Sequence, residues 1–435
     1  MRRTAVLGGG ITGLVLALRL AEAGDDVTVL DAAPELGGNS VAARYEGFAW
    51  DRFYHVIAPQ DRSLLQLLDE LGLGTAVQWT STVASVWMQG GLHRLRTPID
   101  LLRLPGLGLV AKLRLGMLAL RAGAAEDEAV LDGTTCAAWI TARCGREAWE
   151  GMWRHLLRAK LGDLAVDASA RFVHGTLQRL ATARQSGGSD RFGFVEGGYA
   201  SVLERLCARL RERGVRLQAG ARVLEARHDA ASGSVSVVTT AGADRFDRAV
   251  CTLPNPLLAD VLPDLDPRLA ARLRATRYLG VACTVVTGAS PLGPGYVTNL
   301  CDDRLVTTGI LEMSRIIGTS RCNGSSLVYL PRYAAADSPV LDEPDEKIAH
   351  QALADLRVVH PAATASWVRS VRVHRTRWIQ PVPRAGSPPV VPPRTVVAGR
   401  IHCVNHAALP GCVLNNDACI ALANRAAAEL LAQPG

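Results

Sequence analysis

Between Ala5 and Asp31 the chain runs through a short apolar segment, Ala5-Val6-Leu7, a glycine-rich turn, an alanine- and leucine-rich stretch, and a second apolar run from Val27 to Leu30. Gly8, Gly10 and Gly13 fall in the G-x-G-x-x-G spacing between a predicted buried strand and a predicted helix. Gly8 permits the tight turn, Gly10 lets the main chain approach a pyrophosphate, and Gly13 lets the helix lie close against the strand. At Ile11 and Thr12 the helix N-terminus offers unpaired N–H groups and the positive end of its dipole, so the anion needs no lysine. Gly24 stops the helix. Asp31 ends the second strand, where a carboxylate accepts both hydroxyls of an adenosine ribose that carries no 2′-phosphate. This order of parts predicts a Rossmann-type α/β unit that binds a dinucleotide.

After Asp31 the chain continues Ala-Ala-Pro-Glu-Leu-Gly37-Gly38-Asn39. That continuation resembles the FAD-binding fingerprint of the flavin amine oxidase, protoporphyrinogen oxidase and UDP-galactopyranose mutase superfamily. The resemblance implies FAD as the cofactor and adds Gly37, Gly38 and Asn39 to its site. A glycine pair, Gly197-Gly198, precedes a helix and several strands that return the chain to the same domain. There Arg222-Val223-Leu224 stands where the family holds the adenine end through backbone atoms, which makes Val223 a cofactor contact by resemblance. Near the C-terminus, a strand from Thr395 to Gly399-Arg400 and a helix opening at Asn415-Asn416-Asp417 are similar to the pattern of mutase-like flavoproteins. These five residues are expected at the flavin, with the helix N-terminus stabilising negative charge on its pyrimidine.

The fold class implied is α/β: a discontinuous FAD-binding Rossmann-type (glutathione reductase-like) domain with an inserted α+β substrate domain. The FAD-binding domain is expected over residues 1–80, 192–255 and 376–435, and the helical and sheet substrate domain over 81–191 and 256–375. Polar residues 184–190 are the predicted linker.

FAD carries the redox chemistry, so the protein must place a substrate C–H bond and supply an acid–base or orienting group. His55 is the first candidate, because Tyr54-His55-Val56-Ile57 resembles the loop in which mutase-like proteins set a histidine beside the flavin ring. Lys160, in the helix Trp149 to Gly162 that resembles the family's active-site rim, is the second. Their alternatives are a loop histidine that only makes hydrogen bonds and an exposed helix charge. Flavin amine oxidases commonly carry a lysine in the strand corresponding here to Tyr278–Thr284, and this sequence has none there. Three functions stay open: an oxidoreductase acting on a C–N, C–O or C–C single bond of a small metabolite, plausible in secondary metabolism; a redox-neutral sugar mutase; and a non-catalytic flavin-binding protein.

Composition excludes more than it selects. The 435 residues include 48 basic and 41 acidic side chains, but only three lysines, Lys112, Lys160 and Lys347. The charge is compatible with an anionic or sugar-like small-molecule substrate, and no basic block marks a nucleic-acid surface. No zinc-ligand spacing, P-loop or G-x-S-x-G elbow occurs, so no metal is expected. The ten cysteines form no C-x-x-C pair, which predicts reduced thiols in a cytoplasmic protein. The basic amphipathic segment 101–121 is broken by Pro105, Gly106 and Gly108, too interrupted for a transmembrane anchor. It either covers the substrate domain, the favoured reading, or makes weak membrane-surface contact. Nothing in the sequence specifies an oligomeric state.

Overall fold

Thr4 to Leu7 are fully buried in β1 (Arg3–Leu7), as a continuous run in a parallel sheet covered on both faces must be. The computed structural model describes residues 1–121, 124–185, 191–387, 390–409, 411 and 413–432. From β1 the chain enters α1 (Ile11–Glu22) and returns through β2 (Asp26–Leu30), with Arg3 beside Asp26 and Leu7 beside Leu30. β1 also pairs in parallel with Arg248–Cys251, which in turn pairs with Ile401–Cys403, while β2 pairs with Arg216–Gln218. Thr395–Val397 closes the six-stranded sheet as an antiparallel edge. All five parallel strands therefore end at one edge, where Gly8, Asp31, Thr252 and Val404 leave them; open α/β sheets take their ligands there.

Helices Arg62–Glu70, Gly198–Glu212 and Asn416–Leu431 pack with α1 over one face through Leu14, Leu67, Leu206, Ile420 and Ala423, all inaccessible to solvent. The three-stranded meander Val223–Asp229, Ser234–Thr239 and Gly242–Phe246 contributes Val235, Val237 and Phe246 to a second core that includes Ala5 and Leu7. A separate seven-stranded sheet includes Tyr278–Gly288, buried along its whole length between Ser326–Ala335 and the edge strand Val368–Pro381. It also contains Ala84–Met88 and Gly91–Arg94, so two distant stretches of chain build one sheet. Helices between 98 and 185 share a core with its strands through Leu115, Ile140, Leu161, Val173 and Leu279. The strand Val368–Pro381 carries this sheet past the expected boundary at 375. Residues 186–190 of the predicted linker lie outside the described residues.

The expected last strand is displaced. Thr395–Val397 stops short, Gly399 adopts φ 68°, and the Arg400 N–H donates to the Val397 carbonyl at 3.0 Å. The chain reverses there, and Ile401–Cys403 is the strand that reaches the ligand edge. Gly399 and Arg400 thus stand at the opposite, amino-terminal edge, where the Arg400 guanidinium donates to the Asp247 carbonyl at 3.1 Å. A glycine in the left-handed region terminates a strand, so these two residues make a turn that does not line the cavity at the ligand edge.

That amino-terminal edge is tied by a buried ion pair. Arg248 and Asp25, with side chains 2% and 9% exposed, meet at 2.6 Å. The Thr4 hydroxyl donates to the same carboxylate at 2.6 Å and accepts from Arg248 Nε at 3.0 Å. Burial pulls the guanidinium's pKa down and Asp25 opposes that pull. Asp25→Ala strands the cation, so we expect a loss of about 3–5 kcal/mol in urea denaturation. A loss under about 1 kcal/mol, the worth of an exposed pair, would contradict this account.

Candidate active site and cofactor cradle

The three glycines of the opening turn have separate physical duties. A Cβ on Gly13 would lie 1.9 Å from the Gly8 carbonyl oxygen, and one on Gly8, whose φ is 114°, would lie 2.5 Å from Thr252 Oγ1. One on Gly10 would meet nothing within 4 Å. Gly8 and Gly13 are packing requirements, whereas Gly10 borders open space. That space is a cavity of about 540 Å³ lined by Ile11, Thr12, Asp31, Gly38, Asn39 and Val223, among others. Asp31 also braces the turn: its carboxylate accepts from the Gly9 N–H at 2.6 Å and the Ala33 N–H at 2.7 Å. The Gly37 N–H donates to the Gly9 carbonyl at 2.8 Å, which lays the Gly37-Gly38 loop against the first one.

The last helix contributes less than its motif suggests. Asn415 is its N-cap, accepting from the Ala418 N–H at 2.9 Å, and Asn416 accepts from the Ser40 hydroxyl at 3.3 Å. Asn416 lines the cradle, and Asn415 lines the adjoining cavity. Asp417 does neither. Its carboxylate accepts from the Leu64 N–H at 3.0 Å, in the first turn of Arg62–Glu70, and so pins one helix to another. Adjacent positions on a helix point about 100° apart, so the acid leaves the cavity when Asn416 enters it.

His406 is a cradle residue that the sequence analysis missed, because it ended the last strand at Arg400. The residue follows Ile401–Cys403 and lines the cavity, its ring 5.5 Å from that of Tyr278. Its Nε2 is closed to solvent and has no hydrogen-bond partner among the described residues. Burial pushes its pKa down to about 4, which keeps the ring neutral. A neutral, unpaired nitrogen on the cavity wall suits a polar atom of a bound cofactor. The second apolar run, Ile401 to Val404, followed by Asn405-His406 was the available signal. Trp378 and Ile379 were missed for a different reason, because they reach the cradle from the other sheet.

His55 and Lys160 are far apart in sequence but line one cavity, about 540 Å³ in volume. It shares Asn39, Thr376, Ile379, Leu414 and Asn416 with the cradle, so the two spaces adjoin. Its walls include Phe53, Phe172, Phe192, Leu279 and Val281, and the hydroxyls of Tyr54 and Tyr333 meet at 2.5 Å on one side. His55 Nδ1 is 3.3 Å from an Asp51 oxygen. Asp51 is 1% exposed, and its second oxygen accepts from the Tyr199 N–H at 2.9 Å. The strand Tyr278–Gly288 lends Leu279, Val281 and Cys283, whose thiol is pushed far up by burial. Arg191 joins Lys160, and no carboxylate occurs among the described residues that line this cavity.

Two outcomes test the cradle. Gly10→Leu should leave the fold intact but reduce retained FAD, whereas Gly13→Ala should lower the melting temperature itself, because the new methyl meets main chain. Equal melting temperatures would undo the division of duties. The pH dependence follows from His402 and His406, both depressed to about 4 by burial. Their contribution is present above about pH 6.5 and lost as pH falls toward 4, since only the unfolded chain accepts those protons readily. Melting scans across that window should show the decline, with a shallower slope for His406→Gln.

Comparison with known proteins agrees with this geometry. The family model for flavin containing amine oxidoreductases matches residues 11–414. Mycobacterium tuberculosis AofH, named as a flavin-containing monoamine oxidase, is 27% identical over 272 residues, 57% of this chain and 56% of that one. The chain thus spans little more than half the length of that relative. A solved structure from Exiguobacterium, named as a protoporphyrinogen oxidase, superposes with a TM-score of 0.78 at 19% identity, covering 99% of this chain and 98% of the other. Cyclohexylamine oxidase from Brevibacterium oxydans gives 0.75 at 17% identity, with 99% and 98% covered. At such identities the two structures speak for the fold. With the family matched from α1 to the start of the last helix and the cradle built as described, the chain belongs to the flavin containing amine oxidoreductases, a family of FAD-dependent oxidoreductases.

Proposed function

We propose that this protein oxidises a C–N, C–O or C–C single bond in a small metabolite that carries an anionic group. The carrying observation is that Lys160 and Arg191 both line a cavity whose other walls, among the described residues, are aromatic, aliphatic or neutral polar. A protonated amine would face two like charges there, while a carboxylate or phosphate would gain from both. Substrate recognition by an anionic tail also removes the need for an acidic side chain in the pocket. Nine described cysteines without disulfide partners support a reducing, cytoplasmic setting.

When bound, FAD supplies a two-electron acceptor for the hydride leaving the substrate carbon. Gly10, Thr12, Asp31, Asn39, Val223 and His406 would hold it, as lining residues of the cradle. His55 is the group suited to take the accompanying proton, from N–H or O–H in C–N or C–O oxidation and from the adjacent C–H in C–C oxidation. With Nδ1 turned to buried Asp51, its Nε2 is left as the basic atom, and the carboxylate steadies the imidazolium that forms. Tyr54 and Tyr333 orient the substrate's polar end, and Phe172, Phe192 and Val281 shape its apolar body.

His55→Ala should retain FAD yet slow anaerobic flavin bleaching by roughly 10²–10⁴-fold, the worth of a positioned acid–base group. Lys160→Ala and Arg191→Ala should raise KM for a carboxylate substrate and not for its methyl ester. Parent enzyme that bleaches as readily with the ester as with the acid would sink the anionic reading.

A further inference from the structure

The helix Leu109–Leu120 carries two apolar stripes. Ala111, Leu115 and Leu118 are buried against the substrate domain. Leu109, Val110, Leu113, Met117 and Leu120 are 64%, 61%, 57%, 50% and 87% exposed. At 3.6 residues per turn these five fall within an arc of about 100°, with Lys112 on one flank and Arg114 and Arg121 on the other. The preceding helix, Pro98–Arg103, adds exposed Ile99 and Leu102. Beneath the outer stripe lies a groove of about 490 Å³, walled by Val110, Leu113, Met117, Trp139 and Leu177.

We propose that this face docks the protein on the surface of an anionic lipid bilayer, with the outer stripe in the acyl boundary and the flanking cations among the headgroups. Charge selects this occupant. From residue 94 to 121 the basic side chains are Arg94, Arg96, Arg103, Lys112, Arg114 and Arg121, against one acid, Asp100. Asp100 is already engaged, accepting from the Arg96 and Thr97 N–H groups at 3.0 and 2.8 Å. A second copy of the chain would bring like charges together across a twofold axis, whereas an anionic surface neutralises them. An apolar stripe bordered by cations is the pattern of a helix lying in the interface plane, and no described helix is long and apolar enough to cross a membrane. The sequence expectation that this segment covers the substrate domain accounts for one stripe only. The helix Ala170–Gln185 joins the two regions, since Leu177 faces the groove while Phe172 and Thr176 line the substrate cavity. Docking would therefore bring the wall of the active site to the bilayer.

Flotation of the FAD-loaded full chain tests this with vesicles of phosphatidylcholine alone and of equimolar phosphatidylcholine and phosphatidylglycerol. The parent should float with the mixed vesicles and detach as salt is raised. The double variant Leu113→Glu/Met117→Glu should partition at least roughly tenfold less, having lost two apolar anchors. Arg114→Gln and Arg121→Gln should each weaken partition by roughly fivefold. Unchanged flavin absorbance and melting temperature would certify that the variants fold. The proposal is overturned if the parent floats with neither vesicle, if folded Leu113→Glu/Met117→Glu floats as well as the parent, or if the stripe instead mediates a concentration-dependent dimer that this variant dissolves.

Discussion

The contact between Gly13 and the Gly8 carbonyl governs the rest of the structure. With no side chain at either position, α1 lies directly on the end of β1, and its N-terminus is aimed at the sheet's carboxyl edge. Any Cβ at Gly13 would push helix and strand apart. The Gly37-Gly38 loop, the Asp31 carboxylate and the Thr252 hydroxyl are all fastened to this turn by hydrogen bonds. A cofactor site assembled this way is held by main-chain geometry more than by the chemistry of individual side chains.

The two sheets are joined where that edge meets the strand Tyr278–Gly288 of the seven-stranded sheet. Asn405, 1% exposed, donates to the Asn255 side chain at 2.7 Å and the Leu253 carbonyl at 3.1 Å. The Asn255 N–H reaches the Tyr278 hydroxyl at 3.1 Å, and the Tyr278 ring stands edge-on to both Trp378 and His406. Buried amides of this kind are costly unless fully paired, so the network specifies one relative placement of strands from both sheets. Trp378 and His406 consequently line the same cradle, each packed on Tyr278, although they come from different sheets. The same arrangement sets the cavity of His55 and Lys160 beside the cradle.

Much of the cradle was readable in order along the chain. The opening glycines and Asp31 are local signals, because turn geometry and strand–helix alternation depend on near neighbours, whereas the Gly37-Gly38-Asn39 loop and Val223 were named by resemblance. The C-terminal end misled for a physical reason. Thr395-Val-Val-Ala reads as a strand, and it is one, but glycine at 399 reverses it before the ligand edge. The family-like Gly-Arg pair is thereby carried to the far side of the sheet, and beyond the strand that does reach the ligand edge it is His406 that lines the cradle. Asp417, one position further round the helix than Asn416, accepts from the Leu64 N–H and does not line the cradle.

By itself the sequence determined the dinucleotide unit through glycine spacing and hydrophobic period, and the family and its fold class through the resemblance of its motifs. It also brought out His55 and Lys160, though only by resemblance. Only tertiary structure decided that those two share a cavity with Arg191, that Asp51 stands behind His55, and that Arg248 and Asp25 pair in the core. It alone separated the inward stripe of Leu109–Leu120 from the outward one. The reason is common to all of these. Local steric rules act over a few residues and leave a pattern in the chain, whereas burial, charge pairing and cavity walls depend on residues distant in sequence that meet only after the sheets have packed.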